Sequence, residues 1–173
     1  DVASGTTPYT LGFRKAFKIT NGNQTGGAGT GDRCRLQVNI EAQDIANSGW
    51  NYTSSSSFIT MSFWVKSSVA QSFKVELYTD DGTAQNFSFD TGSLSADTWT
   101  KVIKTIPGNS NLTFDDDIGD GLAIFLYPFL GTTYTSSNAN TETWITAATD
   151  TYSNDMSQNW STTNDATYEV TGL

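Results

Sequence analysis

The chain has 173 residues, with nine Lys and Arg against 18 Asp and Glu, no His and a single Cys. These numbers exclude a His-dependent catalytic triad, a His metal site and an internal disulfide. The net charge of -9 argues against duplex nucleic acid as a partner, because that needs a basic footprint.

Fourteen of the acids are Asp and four are Glu, and Thr supplies 27 residues. Asp favours turns where Glu favours helices, and Thr suits a pleated strand, so the composition is that of a β protein with many polar loops. The length fits one domain over 1–173 with a real core. The chain starts at Asp1 without Met, and no signal peptide is visible, as in a fragment or a processed product. The longest apolar run, LAIFLYPFL at 122–130, is too short for a bilayer and contains Pro, so no membrane insertion and a soluble domain are expected.

In chain order, the pattern predicts strands at 13–20 (FRKAFKIT) and 32–41 (DRCRLQVNIE), joined by a Gly-rich mobile loop at 21–31. Cys34 falls in the second strand as a small buried hydrophobe, with no His to make it a nucleophile. A second polar loop, NYTSSSS, covers 51–57. Strands follow at 58–66 and 72–79, then at 84–90 after the Asp-Gly hairpin signal TDDGT. Further strands are expected at 98–106, 120–128 and 166–172. The irregular stretch 131–165 is long for a compact domain. It carries Tyr134, Trp144, Tyr152 and Trp160, so partial order, packing on the body of the domain and another short strand are expected there.

Eight antiparallel-type strands with long loops indicate an all-β, two-sheet sandwich of jelly-roll type. The rows Ile59-Met61-Phe63-Val65 and Phe73-Val75-Leu77 fit the core between the sheets. The opposite registers hold Trp64 and Lys66, and Lys74, Glu76 and Tyr78.

The segments GFRKAFKIT, GTGDRCRLQVNIEAQDI, ITMSFWVKSSVAQSFKVELYTDDGT, LSADTWTKVIKTIPG, FDDDIGDGLAIFLYPFLGTTYTS and YEVTGL run through nearly the whole chain. In this order they resemble jelly-roll domains of tail-fibre and other virion structural proteins of marine tailed phages, cyanophages in particular. The pair SFWVKSS and F-x-VELY, with the ending YEVTGL, is the most specific part. Such domains continue past this ending with a Gln-Leu-Glu stretch, whereas the sequence given stops at Leu173, consistent with a domain cut from a longer chain. The resemblance implies a virion location, other virion proteins as partners, a commonly trimeric assembly, and a fold similar to galactose-binding-like carbohydrate-binding modules.

Candidate ligand contacts are aromatic, because a sugar's C–H face packs on a ring while its hydroxyls need polar neighbours. Trp64 and Tyr78 would form such a platform if they lie on neighbouring strands, with Lys66, Lys74 and Glu76 beside them. The plainer reading buries Trp64 beneath 131–165 and Trp99 in the core. Trp50, Tyr52, Tyr134, Trp144 and Trp160 lie in or near loops, where contacts with ligand concentrate; the plainer reading makes each an anchor for its own loop. For a metal, the clusters around Asp80 and Asp81 and around Asp115, Asp116 and Asp117 offer oxygens to calcium. The EF-hand spacing is absent. Related carbohydrate-binding modules keep an acid in the last strand, where this chain has Thr171. Turn-forming acids without a cofactor are therefore expected.

The strand acids Glu41, Glu76 and Glu169 form no linked pair for glycoside hydrolysis. Lys74 beside Glu76 would lower its pKa rather than raise it. No hydrolytic activity is expected. Five Asn-x-Ser/Thr sequons match chance in a chain of this composition. The expected function is a non-enzymatic virion domain presenting loops to a host-surface glycan. The alternatives are a purely structural assembly domain and a carbohydrate-binding module of a secreted bacterial hydrolase. At -9, polyanionic surfaces should be repelled unless divalent cations bridge the gap.

Overall fold

A computed structural model describes residues 1–24, 26–79, 81–148 and 152–173. It is an all-β molecule of two antiparallel sheets packed face to face. The strands are β1 (Phe17–Thr20), β2 (Arg33–Glu41), β3 (Phe58–Ser67), β4 (Lys74–Thr79), β5 (Gln85–Asp90), β6 (Thr100–Pro107), β7 (Asp120–Leu130), β8 (Trp144–Thr146) and β9 (Thr167–Thr171). Three short helices, α1 (Thr7–Thr10), α2 (Ala42–Ala46) and α3 (Asn159–Thr162), and a 3-10 turn at Thr132–Tyr134 sit at the ends. No described helix is long and apolar enough to cross a membrane.

One sheet has the order β1-β9-β3-β6 and the other β2-β7-β4-β5-β8. The eight expected strands are all present, with ends shifted by a few residues. The first is the most altered, because 13–16 stays outside the sheet. β8 is the extra strand anticipated within 131–165; it pairs with β5 through Gln85↔Thr146 and Phe87↔Trp144. β4 and β5 form the expected hairpin around TDDGT, with Thr79 opposite Gln85 and Gly82 at a φ of 67°. That positive φ is why glycine follows the aspartates.

The core lies where period-2 alternation placed it. Met61, Phe63 and Val65 of β3 are buried, as are Phe73, Val75 and Leu77 before and along β4. Phe73 meets Tyr168 of β9 at 4.9 Å between ring centroids, tying the two sheets together. β4 and β7 depart from simple alternation, because nearly every residue in them is buried. Both strands are central in their sheet, and the long 131–165 segment covers their outer side. A strand buried on both faces reads as a continuous apolar run, which explains LAIFLYPFL.

Described residues at the start of the 21–31 loop are hydrogen-bonded to the end of the 131–165 segment. Asn21 Nδ2 donates to the carbonyls of Trp160 at 2.6 Å and Thr163 at 2.9 Å. The Gln24 amide donates to Asn164 Oδ1 at 2.8 Å. Asn side chains here replace backbone partners that a Gly-rich loop cannot find within itself.

Tyr168 is 1% exposed, and its hydroxyl has no hydrogen-bond partner among the described residues. Burial pushes its pKa up. A buried hydroxyl without a partner carries its full desolvation cost. Tyr168→Phe should therefore stabilise the fold by about 1 kcal/mol, raising Tm by about 2–4 °C in a thermal melt. A clear loss of stability would mean that the hydroxyl is satisfied.

Candidate functional site

The outer face of the five-stranded sheet carries an open cleft of ≈ 480 Å³. β4 and β7 build its floor. Glu76 stands opposite Phe125, and Lys74 opposite Tyr127, so these side chains share the outward register. β2 supplies one wall through Arg33 and Arg35, where its register against β7 shifts between Cys34 and Leu36. Ala84, Ala147, Ala148 and Tyr152 line the other side, and Tyr78 completes the lining.

The floor is an ordered polar network set among rings. Glu76 is 3% exposed; its carboxylate accepts from the Tyr127 hydroxyl at 2.6 Å and from Asn86 Nδ2 at 3.3 Å. Burial pushes the Glu76 pKa up from 4.5 to about 7, against the lowering effects of these hydrogen bonds and of Arg35 and Arg33. Desolvation of the charged form outweighs its partners. The expectation of a lowered pKa from Lys74 is thus reversed. The Lys74 ammonium is taken up by Asp90 at 2.5 Å and Asn154 at 2.6 Å.

Aromatic rings orient the arginines. The Arg35 guanidinium lies 4.4 Å from the centroid of Phe125, and that of Arg33 lies 5.1 Å from Tyr134 and 5.5 Å from Tyr152. Tyr134 and Tyr152 stack with an interplanar angle of 6° at 5.1 Å. Tyr152 also stacks on Tyr127 at 6.4 Å. Arg33 Nη1 donates to the Tyr152 hydroxyl at 2.7 Å. The 131–165 segment is therefore bound to this face by ring stacking, by Asn154 on Lys74 and by Asn86 Nδ2 donating to the Tyr152 carbonyl at 3.3 Å.

The chain matches no protein-family model, no curated protein and no solved structure. The site therefore stands on its own geometry.

The residues singled out from the sequence are dispersed. β3 belongs to the four-stranded sheet and β4 to the five-stranded one, so Trp64 and Tyr78 lie on opposite outer faces and form no joint platform. The 131–165 segment covers the other sheet, which leaves Trp64 half-buried rather than beneath it. Trp99 is also half-buried instead of core; the Lys66 ammonium lies 5.1 Å over its ring. Lys66 pairs with Glu169 of β9 at 3.0 Å, on the same outer face as Trp64. Polar partners expected together thus divide between two faces, with Lys66 on one and Lys74 and Glu76 on the other.

Trp50, Trp144 and Trp160 are buried anchors. Trp50 Nε1 donates to the Ser57 carbonyl at 3.3 Å, and Trp144 Nε1 to that of Pro107 at 2.7 Å. Tyr52 packs edge-on against Phe114 at 4.9 Å. Of the seven aromatic candidates, Tyr78 lines the cleft and Tyr134 supports it. Among the acids, Asp80 lies outside the described residues. Asp81 Oδ2 accepts from the Asp115 amide at 3.1 Å, Asp116 Oδ1 from Asn47 at 2.8 Å, and Asp117 Oδ1 from the Gly119 amide at 2.8 Å. These are turn and loop contacts. No group of three or more potential metal-binding side chains converges among the described residues.

Sequence reasoning missed Arg33, Arg35, Phe125, Tyr127 and Asn86 as site residues. Arg at 33 and 35 with Gln at 37 is a period-2 polar row that alternation could have flagged. Phe125 and Tyr127 were hidden inside the apolar run. A second cleft of ≈ 580 Å³ opens between the sheets, lined by apolar side chains including Val38, Ile59, Met61 and Leu173.

Proposed function

We propose that this domain is a non-enzymatic glycan-recognition module, of jelly-roll type, serving in a phage virion appendage such as a tail fibre. The open cleft lined by aromatic and arginine side chains on the outer face of the five-stranded sheet is the observation that carries this reading. Tyr78 is a half-buried ring that offers surface to a sugar's C–H face, while Arg33 and Arg35 offer donors to its oxygens. The strand order supports the jelly-roll winding. With the short β8 set aside, the chain crosses between sheets at every connection except β4 to β5. The virion setting rests on the sequence resemblance alone.

The absence of catalysis is part of the proposal. Glu76 has the raised pKa expected of a general acid, but hydrolysis of a glycosidic bond needs a second carboxylate facing it. Among the described residues lining the cleft, Glu76 is the single carboxyl group. It is also engaged with Tyr127 and Asn86 at the floor.

A glycan array probed with the purified domain tests the reading, followed by calorimetry on the hits. Tyr78→Ala should weaken binding by about tenfold, the loss of one stacking ring at about 1.4 kcal/mol. Lys101→Ala, on the other sheet, should leave binding unchanged. Release of new reducing ends from a bound polysaccharide, abolished by Glu76→Gln, would overturn the non-enzymatic part. A folded domain that binds nothing on the array would favour a purely structural role in assembly.

A further inference from the structure

We propose that the cleft selects an acidic sugar, a residue bearing an isolated carboxylate such as a uronic acid within an oligosaccharide, through the paired guanidinium groups of Arg33 and Arg35. The inference rests on the glycan reading and narrows it to a ligand class.

The distribution of charge is the first argument. The chain is strongly acidic and has only three arginines, yet two of them stand in one wall of the cleft. They flank Cys34 in β2, are exposed, and both line the cleft. Every ion pair among the described residues is made by a lysine, so neither guanidinium is paired with a carboxylate there. The single carboxyl group of the described lining, Glu76, is buried at the floor and accepts from Tyr127 and Asn86.

Geometry is the second argument. Arg35 lies over Phe125, and Arg33 over Tyr134 and Tyr152. Stacking fixes the plane of a guanidinium while leaving its in-plane N–H groups available. Arg33 spends one of them on the Tyr152 hydroxyl, and Arg35 spends one on the Tyr127 hydroxyl, which leaves the rest of each fork for a ligand. Guanidinium presents five donors in a rigid fork that matches a carboxylate in two-point contact, and pre-orientation lowers the entropy cost of that contact. A hydroxyl of a neutral sugar cannot use the fork in this way.

The overall charge of -9 sets the complementary limit. Its repulsion reaches about 8–10 Å at physiological salt, so a densely charged polymer meets it over much of its length. A short oligosaccharide with separated carboxylates meets the arginine wall first.

The test uses uronic-acid oligosaccharides built from galacturonate, glucuronate, mannuronate or guluronate, each matched with its carboxyl-reduced form. Titration calorimetry on the intact domain should show at least one acidic member binding about tenfold or more tighter than its reduced partner, the contribution of one charge-assisted contact. Arg35→Gln and Arg33→Gln should each bring that ratio towards one, lowering affinity for the acidic form more than for the reduced form. Arg35→Lys should recover only part of it, since charge remains and the fork is lost. If the reduced forms bind as tightly as the acidic ones, the carboxylate proposal falls and the glycan reading stands. It falls likewise if both glutamine variants keep the preference. If no oligosaccharide of either kind binds to a domain that melts cooperatively, the carboxylate proposal falls, and the glycan array decides the broader reading on its own.

Discussion

Glu76→Gln is expected to abolish a loss of stability of about 2.5 kcal/mol that the native domain suffers between pH 5 and pH 8. Glu76 keeps its proton in the folded state up to about pH 7, whereas the unfolded chain releases it near the ordinary value of 4.5. Over that interval the folded state binds more protons than the unfolded one, so stability falls as pH rises. The favourable contribution is full below about 4.5 and is lost as pH passes through about 7. An interval of about 2.5 pH units, at about 1.4 kcal/mol each, gives about 3.5 kcal/mol in full, of which about 2.5 kcal/mol falls between pH 5 and pH 8. Glutamine stays neutral and still accepts from the Tyr127 hydroxyl. Its amide can donate to Asn86 Oδ1 only if Asn86 rotates, which gives up the Nδ2 bond to the Tyr152 carbonyl. Urea titrations at pH 5 and pH 8 provide the measurement. The variant should lie below the native protein at pH 5, by about the 1 kcal/mol of the Asn86 bond it gives up, and exceed it at pH 8. Parallel curves for the two proteins across this range would refute the assignment.

The second large effect is expected at the Lys74–Asp90 pair. Lys74 is 3% exposed, and its ammonium is held by Asp90 at 2.5 Å and Asn154 at 2.6 Å. Asp90→Asn leaves this buried cation with neutral acceptors only. Removing one member of a buried pair costs about 3–5 kcal/mol, and the exposed position of Asp90 points to the lower end of that range. The loss should be felt first in the 131–165 segment, because Asn154 is its polar tie to the sheet at this point. Hydrogen exchange should then show amides near Tyr152 and Ser153 opening before those of β3. The double variant Lys74→Met with Asp90→Asn should recover most of the stability, since no charge is left buried. A double variant as unstable as Asp90→Asn alone would place the cost in packing rather than charge. Screening of the exposed carboxylate by salt should also narrow the gap between native and Asp90→Asn proteins.

Much of the sandwich was legible because alternation is a local property. Met61, Phe63 and Val65 are buried and their neighbours are not, since a strand with one face on a core must alternate. The Asp-Gly turn was legible for the same reason, being a demand of backbone geometry on adjacent residues. The central strands were harder to read. In β7 both faces are covered, so the sequence offers no contrast between Phe125, which floors the cleft, and Ile124, which faces the core.

The site was less legible than the fold. Sequence proximity of β3 and β4 suggested that Trp64 and Tyr78 are neighbours. The chain instead changes sheet between them, and the thickness of the core separates their faces. The loop tryptophans were equally ambiguous. A tryptophan in a Ser- and Thr-rich loop can bind a ligand or fasten the loop, and only packing distinguishes these. Trp50 and Trp144 fasten it, each with its indole N–H donating to a backbone carbonyl.

By itself the sequence determined an all-β sandwich, its core rows, its hairpin and its acidic surface, because each follows from residues close together in the chain or from composition. Tertiary structure alone decided which sheet each strand joined, which sheet the 131–165 segment covered, and that Arg33, Glu76, Phe125 and Tyr152 meet in one cleft. Those outcomes depend on pairing between strands distant in sequence and on the desolvation of Glu76 beneath a covering segment. Neither has a local signature: pairing partners are chosen by the whole chain, and a carboxyl group's pKa follows from what is packed around it.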